Sequence, residues 1–176
     1  ACEIEKMFNQ KLEEDRNGKF KSVNDFFFQE KRDGRDNSRF KIYISQLLAN
    51  NQLKPDMIDE IKALKTIRKN ISSIITTNYD DLVEQLFQFS PLVGNKILLS
   101  NPYGAVYKIH GSTEDPSTII ITEDDYKKFD TKYELIRAQL LSLFMHNPII
   151  FMGYSLTDNN IKNLLHTIFS YVDSSS

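Results

Sequence analysis

The run Ile71-Ser72-Ser73-Ile74-Ile75-Thr76-Thr77-Asn78-Tyr79-Asp80-Asp81-Leu82-Val83-Glu84-Gln85-Leu86-Phe87 decides the fold class. Ile71 to Ile75 has the composition of a strand. A polar turn follows, and Asp81 with Glu84 three residues on matches a capping box ahead of the helical face Leu82, Val83, Leu86 and Phe87. The same strand-turn-helix unit returns late in the chain. There the apolar run Ile149 to Met152 predicts a strand, Gly153-Tyr154-Ser155 a turn, and Asn159 to Phe169 a helix capped by Thr157 or Asp158. Between the two units, Lys96 to Leu99, Val106 to Ile109 and Thr118 to Ile121 predict further strands. Tyr126 to His146 carries Tyr133, Ile136, Leu140, Leu141 and Phe144 at helix spacing.

Strands that alternate with helices and are apolar on both faces belong in a parallel sheet covered on each side. The expected class is therefore α/β, a Rossmann-like parallel sheet with helices on both faces.

Upstream of this part the texture is helical. Ile4, Met7, Phe8 and Leu12 share a helical face that stops at Asn17-Gly18, and Val23 with Phe26, Phe27 and Phe28 opens another. The phenylalanine cluster has too many aromatics for a solvated face. It is expected to pack over the sheet or against another subunit. Gln29 to Arg39 mixes both charges around Gly34 and reads as a solvated loop, with a phosphate-binding patch as the alternative. Ile42, Ile44, Leu47 and Leu48 give a further helix, Pro55 suits a first helical position, and Met57 to Lys69 gives one more. The whole, 1–176, reads as one domain: a mostly helical third, 1–69, then a nucleotide-binding α/β part, 70–172, with a short tail from Asp173.

Composition narrows the function classes. A length of 176 residues, with 40% hydrophobic residues, 12 Phe and 8 Tyr, is enough for one buried core. Lys plus Arg number 22 against 24 Asp plus Glu, a net charge of −2, so no global basic field draws in nucleic acid or an anionic membrane. The single cysteine, Cys2, forms neither an internal disulfide nor a cysteine zinc site, which suits a reduced, cytoplasmic protein with no structural metal. The apolar runs fall far short of the roughly 20 residues of a membrane span.

In open parallel sheets ligands bind outside the carboxyl ends of the strands. The polar residues there are Thr76-Thr77-Asn78-Tyr79-Asp80, His110-Gly111-Ser112 and Gly153-Tyr154-Ser155-Leu156-Thr157-Asp158. Taken singly, Asn78, Asp80, Ser155 and Asp158 are ordinary helix caps and His110 an ordinary structural histidine. Together they offer acceptors for ribose hydroxyls, an imidazole that takes a proton near neutral pH, and a small-residue turn that admits a ligand to the backbone. That set suits a nucleotide.

These three runs, with Lys108-Ile109 leading into the second, resemble in order the signature motifs of the sirtuin-like domains of bacterial anti-phage defence proteins. The resemblance covers residues 70 to 170. It implies NAD+ as substrate and no catalytic metal. It also implies roles: Asn78 positions the attacking water or the nicotinamide ribose, and His110 acts as general base at the ribose hydroxyls. Asp80 lies near the nicotinamide end with Thr77 on the same strand end, and Gly153 with Ser155 holds the adenosine side. Sirtuins begin with a strand and a Gly-Ala-Gly-x-Ser loop that cradles the pyrophosphate. The six glycines here, at 18, 34, 94, 104, 111 and 153, form no such loop. The expectation is that this strand and loop precede Ala1 in a longer protein. The zinc-ribbon cysteines of protein deacetylases are missing too.

The leading expectation is thus an NAD+ hydrolase that releases nicotinamide and ADP-ribose in anti-phage defence, working as a homo-oligomer or in a larger defence complex. A non-catalytic nucleotide-binding or oligomerisation module is the alternative, and NAD+-dependent deacylation is disfavoured.

Overall fold

A computed structural model describes residues 29–32, 35–49, 51–99, 103–132 and 134–173. Two expectations, the helix through Leu12 and the packing of Phe26 to Phe28, lie outside the described residues, as does Cys2.

The centre is a parallel sheet of β3 (Ser73–Thr76), β4 (Ser90–Val93) and β5 (Ala105–Lys108), in the order β3-β5-β4. Ala105 of β5 sits opposite Ser73 on one side and Ser90 on the other. Successive side chains of β5 point to opposite faces, and every residue of the strand is buried, so both faces need cover. Ala105 and Tyr107 face a layer made by Ile136, Leu140 and Leu143 of α5 (Glu134–His146) and Ile161 and Leu164 of α6 (Asn159–Asp173). Val106 faces the opposite layer. There Leu64 of α2 (Ile58–Ile67), Val83, Leu86 and Phe87 of α3 (Leu82–Phe87), and Phe89 close the core. The α/β architecture with helices on both faces follows from this alternation.

Above the carboxyl edge lies α1 (Arg39–Leu48), whose Phe40 and Ile44 pack with Tyr79 and Ile121. Its buried Lys41 pairs at 2.6 Å with Asp125 near the start of α4 (Glu123–Lys132). α4 begins with a reciprocal capping box. Thr122 Oγ1 accepts from the Asp125 amide at 3.2 Å, and Asp125 Oδ2 accepts from the Thr122 amide at 2.9 Å.

Several local expectations need correction. The mixed-charge stretch is not a loop but an antiparallel hairpin, β1 (Gln29–Arg32) with β2 (Arg35–Ser38), registered Gln29 to Ser38. The strand placed at Lys96 to Leu99 is a 3₁₀ segment, Gly94–Leu99, and the pairing is made earlier by Ser90–Val93. Pro91 disguises that strand, yet an edge strand tolerates a residue that cannot donate. Thr118 to Ile121 forms no strand, because its backbone is spent on neighbouring loops: the Ile120 amide donates to the His110 carbonyl at 2.9 Å, and Tyr79 Oη donates to the Ile120 carbonyl at 2.7 Å. The capping box read at Asp81 and Glu84 does not form, since the Leu82 amide donates to Asp80 Oδ1 and Glu84 turns to Lys108. The helical pattern from Tyr126 divides between α4 and α5. Finally, Ile149 to Met152 joins no sheet among the described residues and is exposed, Ile150 to 85% and Met152 to 69%. A strand is defined by its backbone partners, and apolar composition alone does not supply one.

Candidate functional site

Two chain segments leave the sheet at its carboxyl edge, and a third, arriving from outside the sheet, meets them there. After β3 the chain turns through Thr77-Asn78-Tyr79-Asp80, with the Asn78 amide donating to Thr76 Oγ1 at 3.1 Å. The Tyr79 carbonyl accepts from the Thr113 amide at 3.0 Å, which ties this turn to the next. Beneath it, the Lys108 side chain, 1% exposed, donates to the Asp80 carbonyl and pairs with Glu84 at 2.7 Å. A buried ammonium needs such partners to offset its lost hydration.

After β5 comes His110, 3% exposed, then Gly111 at φ +93°. A β-carbon at Gly111 would run into the Thr118 carbonyl, so the close passage of residues 118–119 requires glycine there. The His110 ring meets the rings of Tyr126 and Phe129 edge-on, at centroid distances of 5.5 and 6.3 Å.

The third segment passes Gly153 at φ +60° and Leu156 at φ +55° before reaching α6. Asp158 caps that helix, its Oδ1 accepting from the Ile161 amide at 3.1 Å. Its other oxygen, Oδ2, accepts from Tyr126 Oη at 3.1 Å and lies 3.4 Å from His110 Nε2. Ser155 and Thr157 hydroxyls bond to each other at 2.8 Å.

These turns enclose a cleft of roughly 660 Å³, lined by Thr77, Asn78, His110, Gly153 and Ser155. That volume is in the range that holds a small organic ligand. Asp80 does not line it, and its carboxylate is occupied at the Leu82 amide. The lining also includes Tyr79, Glu123, Tyr126, Tyr154, Thr157 and Asp158. Glu123 and Tyr126 went unread as site residues although a signal existed: Thr122-Glu123-Asp124-Asp125 is a polar run directly after the apolar Ile119 to Ile121. Among the described residues, no group of three or more potential ligands is placed to hold a metal ion, and no helix is long and apolar enough to cross a membrane.

Burial sets the electrostatics of the cleft. It pushes the His110 imidazole below its ordinary value, against an opposing pull from Asp158, so neutral imidazole dominates at neutral pH. Burial and the nearby Asp125 and Asp158 push Tyr79 up to about 12. Burial and Asp158 push Tyr154 up to about 12 and Tyr126 further in the same direction. Three protonated phenols and a neutral imidazole thus stand around the Asp158 carboxylate.

Residues 72–173 match the family model of the SIR2-like domain. The chain is 35% identical over 107 residues to NAD(+) hydrolase ThsA of Enterococcus faecium, covering 56% of this chain and 22% of that protein. It is 27% identical over 142 residues to NAD(+) hydrolase ThsA of Acinetobacter baumannii (strain 532279), covering 72% of this chain and 30% of that protein. Identity to Defense-associated sirtuin 2 of Bacillus subtilis is 28% over 113 residues, or 59% of this chain and 11% of that protein. The chain therefore spans less than a third of the length of each of these relatives. The family match takes in all three polar turns and runs from β3 to the end of α6, more than half of the chain, and by it the chain belongs to the SIR2-like domain family.

Proposed function

We propose that the chain supplies the NAD+-hydrolysing site of an anti-phage defence protein, cleaving the bond between nicotinamide and ribose C1′. The observation that carries this reading is the meeting of Asn78 and His110 in one cleft with the small-residue turn at Gly153 to Ser155. The names of the ThsA relatives support the choice of substrate.

As the C1′–N bond breaks, its electron pair leaves with nicotinamide and positive charge grows on the ribose. Asn78 orients the water or the ribose through its side-chain amide, and neutral His110 takes up a ribose hydroxyl proton, which lowers the energy of the cationic sugar. Water attacks C1′ and its proton leaves to solvent, the ribose oxygen recovers from His110 the proton it had given up, and ADP-ribose is released with the imidazole neutral again. Thr77 contributes a hydroxyl beside Asn78, and Gly153 with Ser155 admits the adenosine side of the dinucleotide. Asp80 acts on the nicotinamide end through the turn that its carboxylate caps. NAD+ is consumed as a substrate, and the reaction as written uses no metal. Its setting would be the cytoplasm of an infected cell, within an oligomer or larger defence assembly.

The test follows nicotinamide release from NAD+ by the full-length protein, with and without an acetyl-lysine peptide. Release without peptide is the expected result. Strict dependence on peptide would mean deacylation, and saturable NAD+ binding without release would mean a nucleotide-sensing module.

A further inference from the structure

We propose that Asp158 is a positioning residue for His110, holding the imidazole in place at the cleft and balancing its charge once it has taken a proton. The inference rests on the reading of the cleft as an NAD+-hydrolysing site.

The geometry divides the two oxygens of one carboxylate between two tasks. Oδ1 is committed to the amide of Ile161, which fixes Asp158 to the first turn of α6. Oδ2 receives the Tyr126 hydroxyl at 3.1 Å and stands 3.4 Å from His110 Nε2. Both side chains are largely buried, 3% and 12% exposed, so once the ring is protonated water screens its attraction to the carboxylate weakly. Tyr126 also meets the His110 ring edge-on, which closes a triangle of imidazole, phenol and carboxylate. A helix cap needs one acceptor, so the second oxygen's contacts exceed what capping requires.

Other groups face the imidazole, but they cannot take this part. Tyr79, Tyr126 and Tyr154 are held protonated well above the range in which histidine titrates. Glu123 lines the same cleft, but its carboxylate is exposed and paired with Lys127 at 2.9 Å. Among the described residues, Asp158 is thus a carboxylate at ion-pair distance when a ribose hydroxyl proton passes to His110 and makes it an imidazolium. The proton stays on the ring, and the Asp158 negative charge offsets it.

Two substitutions test this, Asp158→Asn and Asp158→Ser, since both residues still cap a helix while neither carries charge. In the full-length protein, kcat for nicotinamide release is expected to fall about 10- to 100-fold with KM little changed, as when a partner that orients a working imidazole is lost. A second readout is independent of turnover. With ¹³C-labelled histidine and the His110 resonance identified by its loss in His110→Gln, the titration midpoint of His110 moves to lower pH in both variants, because the carboxylate that favoured the protonated ring is gone. The melting temperature stays near that of the parent. An unmoved midpoint overturns the proposal, and so does an unchanged kcat or a loss of activity that only tracks loss of folded protein. If the parent releases no nicotinamide at all, the hydrolase reading fails, while the His110 titration still decides whether Asp158 governs the imidazole.

Discussion

His110 joins the proposed chemistry of the cleft to the stability of the fold. Replacing it with Ala is expected to cost about 10²- to 10⁴-fold in nicotinamide release, the usual contribution of positioned proton transfer. NAD+ affinity should change far less, and equilibrium binding beside kcat measures the split. Its lowered folded-state value also has a stability consequence whose sign is fixed. Above the unfolded value, near 6.5, both states carry neutral imidazole. As pH falls below it the unfolded chain takes the proton first, so stability declines until the folded imidazole titrates too. Melting curves between neutral pH and pH 5 should show this decline in the parent and a smaller one in His110→Gln. One residue along, Gly111→Ala is expected to destabilise by roughly 1 to 3 kcal/mol from the left-handed backbone alone, with the collision against the Thr118 carbonyl in addition. Denaturant unfolding measures it. The places of His110 and Asn78 at the cleft were legible because each follows a strand of the sheet. Asp158 was legible only as a cap, since no spacing rule reveals that its second oxygen turns toward a residue 48 positions earlier.

At the scale of elements, the cleft is held by buried ion pairs whose partners are far apart in sequence. Lys108 sits under the turn that carries Asn78, joined to the Asp80 carbonyl and to Glu84, so Lys108→Met would leave a carboxylate buried without its cation. Breaking such a pair from one side costs about 3 to 5 kcal/mol. Chemical denaturation should report that loss, and NAD+ binding should weaken as the turn loosens. Lys41 and Asp125 do the same for α1 and α4. Burial raises the Asp125 carboxyl, but Lys41 and the Thr122 and Ile121 amides outweigh it and leave the net value lowered. This stability is present above the unfolded carboxyl value and is lost as pH falls through the folded one. Lys41→Ala should therefore lower the melting temperature at pH 5 and remove part of the protein's sensitivity to acid, read as a smaller drop in melting temperature between pH 5 and pH 3. Helices with strong periodicity, such as Ile58–Ile67, were legible, as was the central strand at Val106. The hairpin at Gln29 to Ser38 was not, because its pattern is polar throughout and its order comes from backbone pairing. Ser90–Val93 was hidden by Pro91, and Thr122 to Asp125 made the capping box that Asp81 and Glu84 promised and did not form.

Across the whole molecule, the sheet places its polar ends on one side and its cover on both faces, and that much was readable from the alternation of strands and helices. What composition hid was which apolar run finds a partner. Ile149 to Met152 is as apolar as any strand here, yet it stands outside the sheet with Ile150 and Met152 open to water. The consequence is one of time as well as place. Peptide amides outside a hydrogen-bonded ladder trade their hydrogens with solvent through small local openings, whereas those at the centre of a sheet wait for the whole fold to open. In deuterated buffer, the amides of Ile150, Phe151 and Met152 should therefore exchange faster than those of Val106 and Tyr107 by several orders of magnitude. Slow exchange at 150–152 in the full-length protein would mean that something sits on the run in solution, and the difference in exchange rate would give the stability of that cover.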